Sequence, residues 1–124
     1  VSEVPIMADE PVQTAEDARR LVRARAASLV NIKLMKAGGI GEAAAIAGVA
    51  DAAGLGSMIG CMDESRIGIA AALHFALSAP GVERADLDGH LDLVDDVARG
   101  GLRIDGGYAL PLLEEPGLGV SVDL

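Results

Sequence analysis

A chain of 124 residues, 51% of them hydrophobic, is long enough for one ordinary domain with one core and too apolar to be disordered by composition. Its net charge of −9 speaks against nucleic acid and against anionic membranes as partners, since both call for a basic surface; it suits a cationic substrate group or a divalent metal. One cysteine, Cys61, cannot form an internal disulfide, and the N-terminus lacks a basic region followed by an apolar run, so no signal peptide is expected and the expected compartment is the cytoplasm.

The longest apolar stretch, Ile67 to Leu77, is broken by His74 and is far shorter than the roughly 20 residues of a membrane span. With one Tyr, one Phe and no Trp, the core must be built from Ala, Val, Leu, Ile and Met. The chain opens on Val1, close to an apolar run, and is expected to be part of a longer polypeptide.

Val4 to Ala8 reads as a short strand with Asp9 at its C-terminal tip. Thr14 is a good N-cap, with Asp17 three residues on as a loose capping box. Ala18, Leu21, Val22 and Arg25 then recur at helical spacing as the inward stripe. Arg19, Arg20 and Arg23 fall mostly outside it and read as a solvated face, with Glu16 and Arg20 an i,i+4 pair.

Ser28 to Leu34 reads as a buried parallel strand. Alternation puts Val30, Ile32 and Leu34 on one face and Asn31, Lys33 and Met35 on the other. If the first set packs against helices, Lys33 points into the interior. Lysine is almost never buried without a partner or a task. Burial lowers the pKa of an ammonium group, which suits general-base work. The plainer alternative is a lysine that snorkels to the strand end and pairs with a carbonyl or carboxylate.

Gly38-Gly39 leads into a helix from Glu42 to Ala53, with Ala43, Ile46, Ala47 and Ala50 on one face and Gly54 as its stop. Ser57 to Met62 is the third strand, and Ser65 caps a helix from Arg66 to Ser78 whose stripe is Ile69, Ala70, Leu73 and Leu77. His74 lies beside that stripe without other ligand types near it. Cys61 reads as a small buried residue.

Arg84 to Gly89 is the fourth strand or its tip. An extended backbone there puts Asp86 and Asp88 on one face with Leu87 opposite. Two crowded carboxylates want a cation or an ammonium group; otherwise each caps a backbone N–H. His90 follows as a loop residue. The segment after residue 99 is punctuated by Gly and Pro and predicts irregular structure with brief strands.

The order strand, helix, strand, helix, strand, helix, strand predicts βα units around a parallel sheet, an α/β fold. Asp9, Lys33, Glu64, Asp86 and Asp88 all sit at strand C-terminal ends, where α/β folds build their sites.

Several runs occur in a telling order: Ala8-Asp9-Glu10; Asn31-Ile32-Lys33-Leu34-Met35-Lys36-Ala37-Gly38-Gly39-Ile40; Met58-Ile59-Gly60-Cys61-Met62; Glu64-Ser65; Asp86-Leu87-Asp88-Gly89; and Pro116-Gly117-Leu118-Gly119-Val120. Over essentially the whole chain they resemble the C-terminal part of the dipeptide epimerases, L-Ala-D/L-Glu epimerase-like members of the muconate-lactonizing-enzyme subgroup of the enolase superfamily. The lysine stretch points to the subgroup; the Asp-Leu-Asp-Gly element points to the dipeptide epimerases.

The resemblance implies the C-terminal half of a (β/α)7β barrel, strands five to eight, in residues 1–99, with a tail in residues 100–124 returning to a capping domain. It implies Asp9 as one of three carboxylate ligands for Mg²⁺, Lys33 as the acid/base lysine on one face of the substrate, and Glu64, Asp86 and Asp88 as substrate-binding residues. In it, the Asp86/Asp88 pair holds the ammonium group of a dipeptide. The implied reaction is a 1,1-proton transfer at the α-carbon of the second residue, with Ala-Glu the default substrate. A metal on the carboxylate oxygens and a placed base make such a weakly acidic proton removable.

Nothing in the sequence matches the family's Lys-x-Lys element or its first two metal ligands. A full barrel runs to about 250 residues, so the missing barrel half and capping domain are expected partners. Asp63 stands where the resemblance leads one to expect an apolar residue. The alternatives are another enzyme of the subgroup (a cycloisomerase, an o-succinylbenzoate synthase or an N-acylamino acid racemase) or a non-catalytic half-barrel that self-associates, for instance as a homo-oligomer.

Overall fold

The computed structural model describes residues 3–122. Four parallel strands form one sheet in the order β1-β2-β3-β4: β1 is Met7–Ala8, β2 Leu29–Lys33, β3 Gly56–Gly60 and β4 Val82–Ala85. The central pair has an unbroken register from Leu29 opposite Gly56 to Lys33 opposite Gly60. Helices connect the strands: α1 is Ala15–Ala24, α2 the single turn Leu34–Ala37, α3 Ile40–Ala52 and α4 Arg66–Ser78. This is the βα alternation that the sequence predicts.

The helix starts follow from their caps. Thr14 and Asp17 form a complete capping box on α1, each side chain receiving the other's backbone N–H. Ser65 accepts from Ile67 N–H and opens α4. The first N–H of α1, on Ala15, is taken instead by Glu42 Oε1 of α3 at 2.7 Å, which fixes one helix against the other.

The core lies between the sheet and the helices. Val30, Ile32 and Ile59 from the strands meet Ala43, Ile46, Ala47 and Ala50 of α3 and Ile69, Ala72 and Leu73 of α4, all essentially inaccessible. Alanine on α3 lets that helix approach the sheet closely. Each buried isoleucine contributes about 1.5–3 kcal/mol relative to an exposed one.

Several boundaries differ from the expectation. The first strand is Met7–Ala8 alone, preceded by exposed Val4 and Ile6. The second strand ends at Lys33, and Leu34 begins a helical turn, although its side chain stays buried. The third strand stops at Gly60, so Cys61 and Met62 lie beyond its end. The fourth runs from Val82 to Ala85, with Asp86 to Asp88 following it and a 3-10 turn over Gly89–Leu91. Arg25 does not extend the stripe of α1: it is the left-handed C-cap, at φ 49°, and is exposed. Leu77 is also outside the stripe of α4, at 67% exposure, while Phe75 in the same last turn is buried.

The tail carries the brief strands that its composition predicts. Ala98–Gly100 (β5) pairs antiparallel with Val120–Val122 (β8), and Leu102–Asp105 (β6) with Tyr108–Pro111 (β7). Strands β5, β7 and β8 lie against α4, and Leu102 joins the core. The boundary expected at residues 99 and 100 therefore falls inside β5.

Candidate functional site

Parallel pairing brings the C-terminal ends of β1 to β4 to one edge of the sheet. Asp9 follows β1, Lys33 ends β2, Glu64 lies four residues past β3 and Asp86 directly follows β4. Asp9, Lys33, Glu64, Asp86 and Asp88 therefore sit at or just past this edge. They fall into two groups.

The first group surrounds Asp9. Lys33 Nζ stands 3.4 Å from Asp9 Oδ2, with the lysine side chain 14% exposed. Asn31 Nδ2 donates to the same Oδ2 at 3.0 Å. Lys36 forms a close ion pair with Asp9 Oδ1 and donates to the Asp9 carbonyl at 2.7 Å. Partial burial pushes the Asp9 carboxyl up, but the hydrogen bonds from Lys36 and Asn31 and the charges of both lysines outweigh it and hold it below its usual value. Lys33 Nζ also approaches Met62 Sδ at 3.8 Å, which ties this group to the end of β3.

Alternation explains the inward set: Asn31 and Lys33 lie on the face opposite Val30 and Ile32. Gly60, opposite Lys33, leaves room beside Asn31; a Cβ there would lie 2.5 Å from Asn31 Oδ1. Lys36 is not a candidate from the sequence, because it falls between the expected strand, which ends at Leu34, and the Gly38-Gly39 turn. The one-turn helix Leu34–Ala37, closed by Gly38 and Gly39 at φ 78° and 128°, curls the chain back over the strand end. The signal was present in Gly38-Gly39, which stops the turn after four residues.

The second group surrounds Cys61. Gly89 N–H donates to Cys61 Sγ at 3.3 Å, and Sγ lies 3.9 Å from Asp88 Oδ1. Burial pushes the Cys61 thiol up, the Gly89 N–H opposes this, and the charges of Asp88, Asp86 and Glu64 push it further. These influences favour the thiol of Cys61 over its thiolate. Asp86 and Asp88 are exposed, with Leu87 buried between them, as alternation predicts. Glu64 Oε1 accepts from Met62 N–H at 3.2 Å, and Gly68 makes space for its carboxylate. Asp63 is exposed at the rim. His90, expected as a loop residue, is buried in the 3-10 turn, while His74 is half-buried on α4.

Asp9 is an ionised oxygen donor at the strand ends and fits one position on a hard divalent cation. Among the described residues no group of three or more His, Cys, Asp or Glu side chains could hold a metal ion. Among the described residues Asp9 is thus a single candidate ligand, without a complete set around it. No helix among the described residues is long and apolar enough to cross a membrane.

The Enolase C-terminal domain-like family profile matches residues 1–124. The chain is 51% identical over 116 residues to the L-Lys-D/L-Arg epimerase of Methylococcus capsulatus, covering 93% of this chain and 32% of that protein. The structure of a substrate-liganded complex of the L-Ala-D/L-Glu epimerase from Bacillus subtilis superposes with a TM-score of 0.87 at 42% identity, over 99% of this chain and 34% of that one. A dipeptide epimerase from Methylococcus capsulatus, complexed with Mg and the dipeptide L-Arg-D-Lys, superposes with a TM-score of 0.81 at 46% identity, over 92% of this chain and 32% of the other. The chain spans about a third of the length of each of these relatives. With its parallel βα sheet and its strand-end residues, it belongs to the Enolase C-terminal domain-like family of the enolase superfamily.

Proposed function

We propose that this chain supplies one side of the active site of a Mg²⁺-dependent dipeptide epimerase, an isomerase that moves a proton off and back onto the α-carbon of a dipeptide's second residue. The observation that carries the reading is the pairing of Lys33 and Asp9 at the strand ends, 3.4 Å apart, in a chain 51% identical to an epimerase. Its strands would be the fifth to eighth of a barrel completed by sequence outside this chain.

Lys33 is the base on one face of the substrate. Its side chain is mostly shielded, so its amine meets little competing water, and Asp9 and Met62 hold it at the strand ends. Asp9 would be one ligand of the metal, which supplies positive charge to the substrate carboxylate as the α-proton leaves. The other ligands and the base on the opposite face lie outside this chain. Asp86 and Asp88 present exposed carboxylates to the dipeptide's ammonium group, and Glu64 borders the same space. That pair favours a dipeptide over N-acylated amino acids or lactones, which bring no ammonium group. Residues 1–99 form the barrel part, residues 100–124 the tail that reaches the capping domain, and the cytoplasm is the expected compartment.

Two exposed features support self-association of the isolated chain. Strands β1 and β4 are sheet edges, and Ile6, Met7, Met35 and Met62 are exposed near the strand ends.

The test is a chimera in which this chain replaces the third of the Bacillus subtilis enzyme that it matches. Epimerisation of Ala-Glu that vanishes with Lys33→Ala supports the reading. A folded chimera that turns over dipeptides equally well with and without Lys33 contradicts it.

A further inference from the structure

Lys36 is among the most enclosed ionisable side chains at the site, with 8% of its side chain exposed, and the proposed proton transfer gives it no task. Lysine is rarely buried this far without a partner. Its ammonium group makes three contacts on one short segment: the Asp9 carbonyl at 2.7 Å, Asp9 Oδ1, and Glu10 Oε2 at 4.0 Å. The Glu10 contact is at the surface and is the weakest, since Glu10 is 75% exposed. The two Asp9 contacts are different in kind. They grip main chain and side chain of the same residue, so they fix both the backbone after β1 and the rotation of the carboxylate.

The other carboxylate oxygen is treated differently. Oδ2 receives Asn31 Nδ2 at 3.0 Å and has Lys33 Nζ at 3.4 Å. Lys36 thus occupies Oδ1 from the α2 side, and Oδ2 is the oxygen turned towards the inward-facing side chains of β2.

We propose that Lys36 is a positioning residue that locks the Asp9 carboxylate in one orientation by gripping Oδ1 and the Asp9 main-chain carbonyl, so that Asp9 would be pre-set as an oxygen ligand of the divalent cation. The proposal rests on the reading of Asp9 as a metal ligand. It also assigns a purpose to the one-turn helix Leu34–Ala37 and its Gly38-Gly39 stop: they return Lys36 to the β1 end, so that it meets Asp9 beside Lys33. Outer partners of a metal ligand typically matter about ten- to a hundredfold in metal affinity, because they set the ligand's orientation before the metal arrives.

Two measurements test it. In the 124-residue chain labelled with ¹⁵N-lysine and ¹³C-aspartate, Lys36 Nζ should give a protected ammonium signal with a coupling through the hydrogen bond to Asp9 Cγ. Asp9 should then hold a single χ1 rotamer, and in Lys36→Met it should average over several. A single, unchanged Asp9 rotamer in Lys36→Met overturns the proposal. In the chimera with the Bacillus subtilis enzyme, Mn²⁺ affinity should fall about ten- to a hundredfold in Lys36→Met and largely recover in Lys36→Arg, which can still donate to Oδ1. Unchanged Mn²⁺ affinity in Lys36→Met, when Asp9→Ala abolishes binding, removes the positioning role and leaves Asp9 as a ligand. Unchanged affinity in Asp9→Ala removes the ligand reading itself, and this proposal with it.

Discussion

Gly89 lies directly against the main-chain carbonyl of Met62: a Cβ added to the glycine would come within 2.0 Å of that oxygen. The loop after β4 and the loop after β3 are therefore joined backbone to backbone, with Cys61 Sγ accepting the Gly89 N–H at the same junction. This contact sets where Asp86 and Asp88 stand relative to Lys33, whose amine touches Met62. Gly89→Ala should drive the loops apart. We expect a loss of about 1–3 kcal/mol of stability, the usual range for overpacking a tight contact. Denaturant unfolding checks the value, and an unchanged midpoint would mean that the junction is loose.

Asp9 makes stability depend on pH in a defined direction. Its folded carboxyl is held below the ordinary value of 3.8, so the native state binds a proton less readily than the unfolded chain. The resulting stabilisation is complete above the unfolded value and disappears as pH falls through the lower, folded one. Asp9→Asn should therefore be less stable than the parent at pH 7, with the difference shrinking on acidification below about pH 4. Thermal melts across that range read it directly, and a constant difference at all pH values would contradict it.

The Asp9–Lys36 pair should be asymmetric. Removing Asp9 leaves an enclosed ammonium with a carbonyl and a distant glutamate. Removing Lys36 leaves a carboxylate that is 36% exposed and still bonded to Asn31. An uncompensated charge is costly in proportion to its burial. Asp9→Ala should thus lower the melting temperature more than Lys36→Met, and the reverse order would mean that Lys36 is far better hydrated than its surroundings imply.

Replacing Asp86 and Asp88 together with Asn in the chimera should reduce kcat/KM for Ala-Glu by roughly ten- to a hundredfold, the effect of losing charged hydrogen bonds. An N-acetylated dipeptide should lose much less, because acetylation removes the charge that the pair would meet. Equal losses on both substrates would show the two carboxylates to be structural.

Alone, the 124-residue chain should self-associate and leave dipeptides unepimerised. It carries Lys33 for one face of the substrate and a single carboxylate, Asp9, for the metal. Size-exclusion chromatography with an assay on Ala-Glu tests both. A monomer with turnover would require a complete site among these residues.

The framework of the fold was legible because its signals are local. Thr14 with Asp17, Ser65, and the alanine-rich face of α3 each announce an element from neighbouring residues alone. The strand-end positions of Asp9, Lys33 and Asp86 follow from polar residues at the ends of short apolar runs, whereas Glu64 lies four residues past its strand. Lys36 was hidden because its position depends on one helical turn that interrupts an apolar run, and periodicity over four residues cannot separate strand from helix. Asn31 and Cys61 acquire their contacts only through pairing with β1 and with the loop after β4. Such partners are set by the sheet order, which no stretch of the sequence carries by itself. The brief strands of the tail were expected from its Gly and Pro punctuation, but their antiparallel pairing was not, and the surface against which β5, β7 and β8 lie is α4.

Lys33 is expected to remove the α-proton from one face of a dipeptide. The direct measurement is deuterium incorporation into L-Ala-L-Glu in heavy water by the chimera, followed by NMR at the glutamate α-position and compared with its epimer L-Ala-D-Glu. Lys33→Ala should abolish exchange from one of the two epimers, by about 10²- to 10⁴-fold, and spare residual exchange from the other, whose proton faces the opposite base. Equal exchange rates for both epimers in Lys33→Ala, unchanged from the parent, would contradict the account.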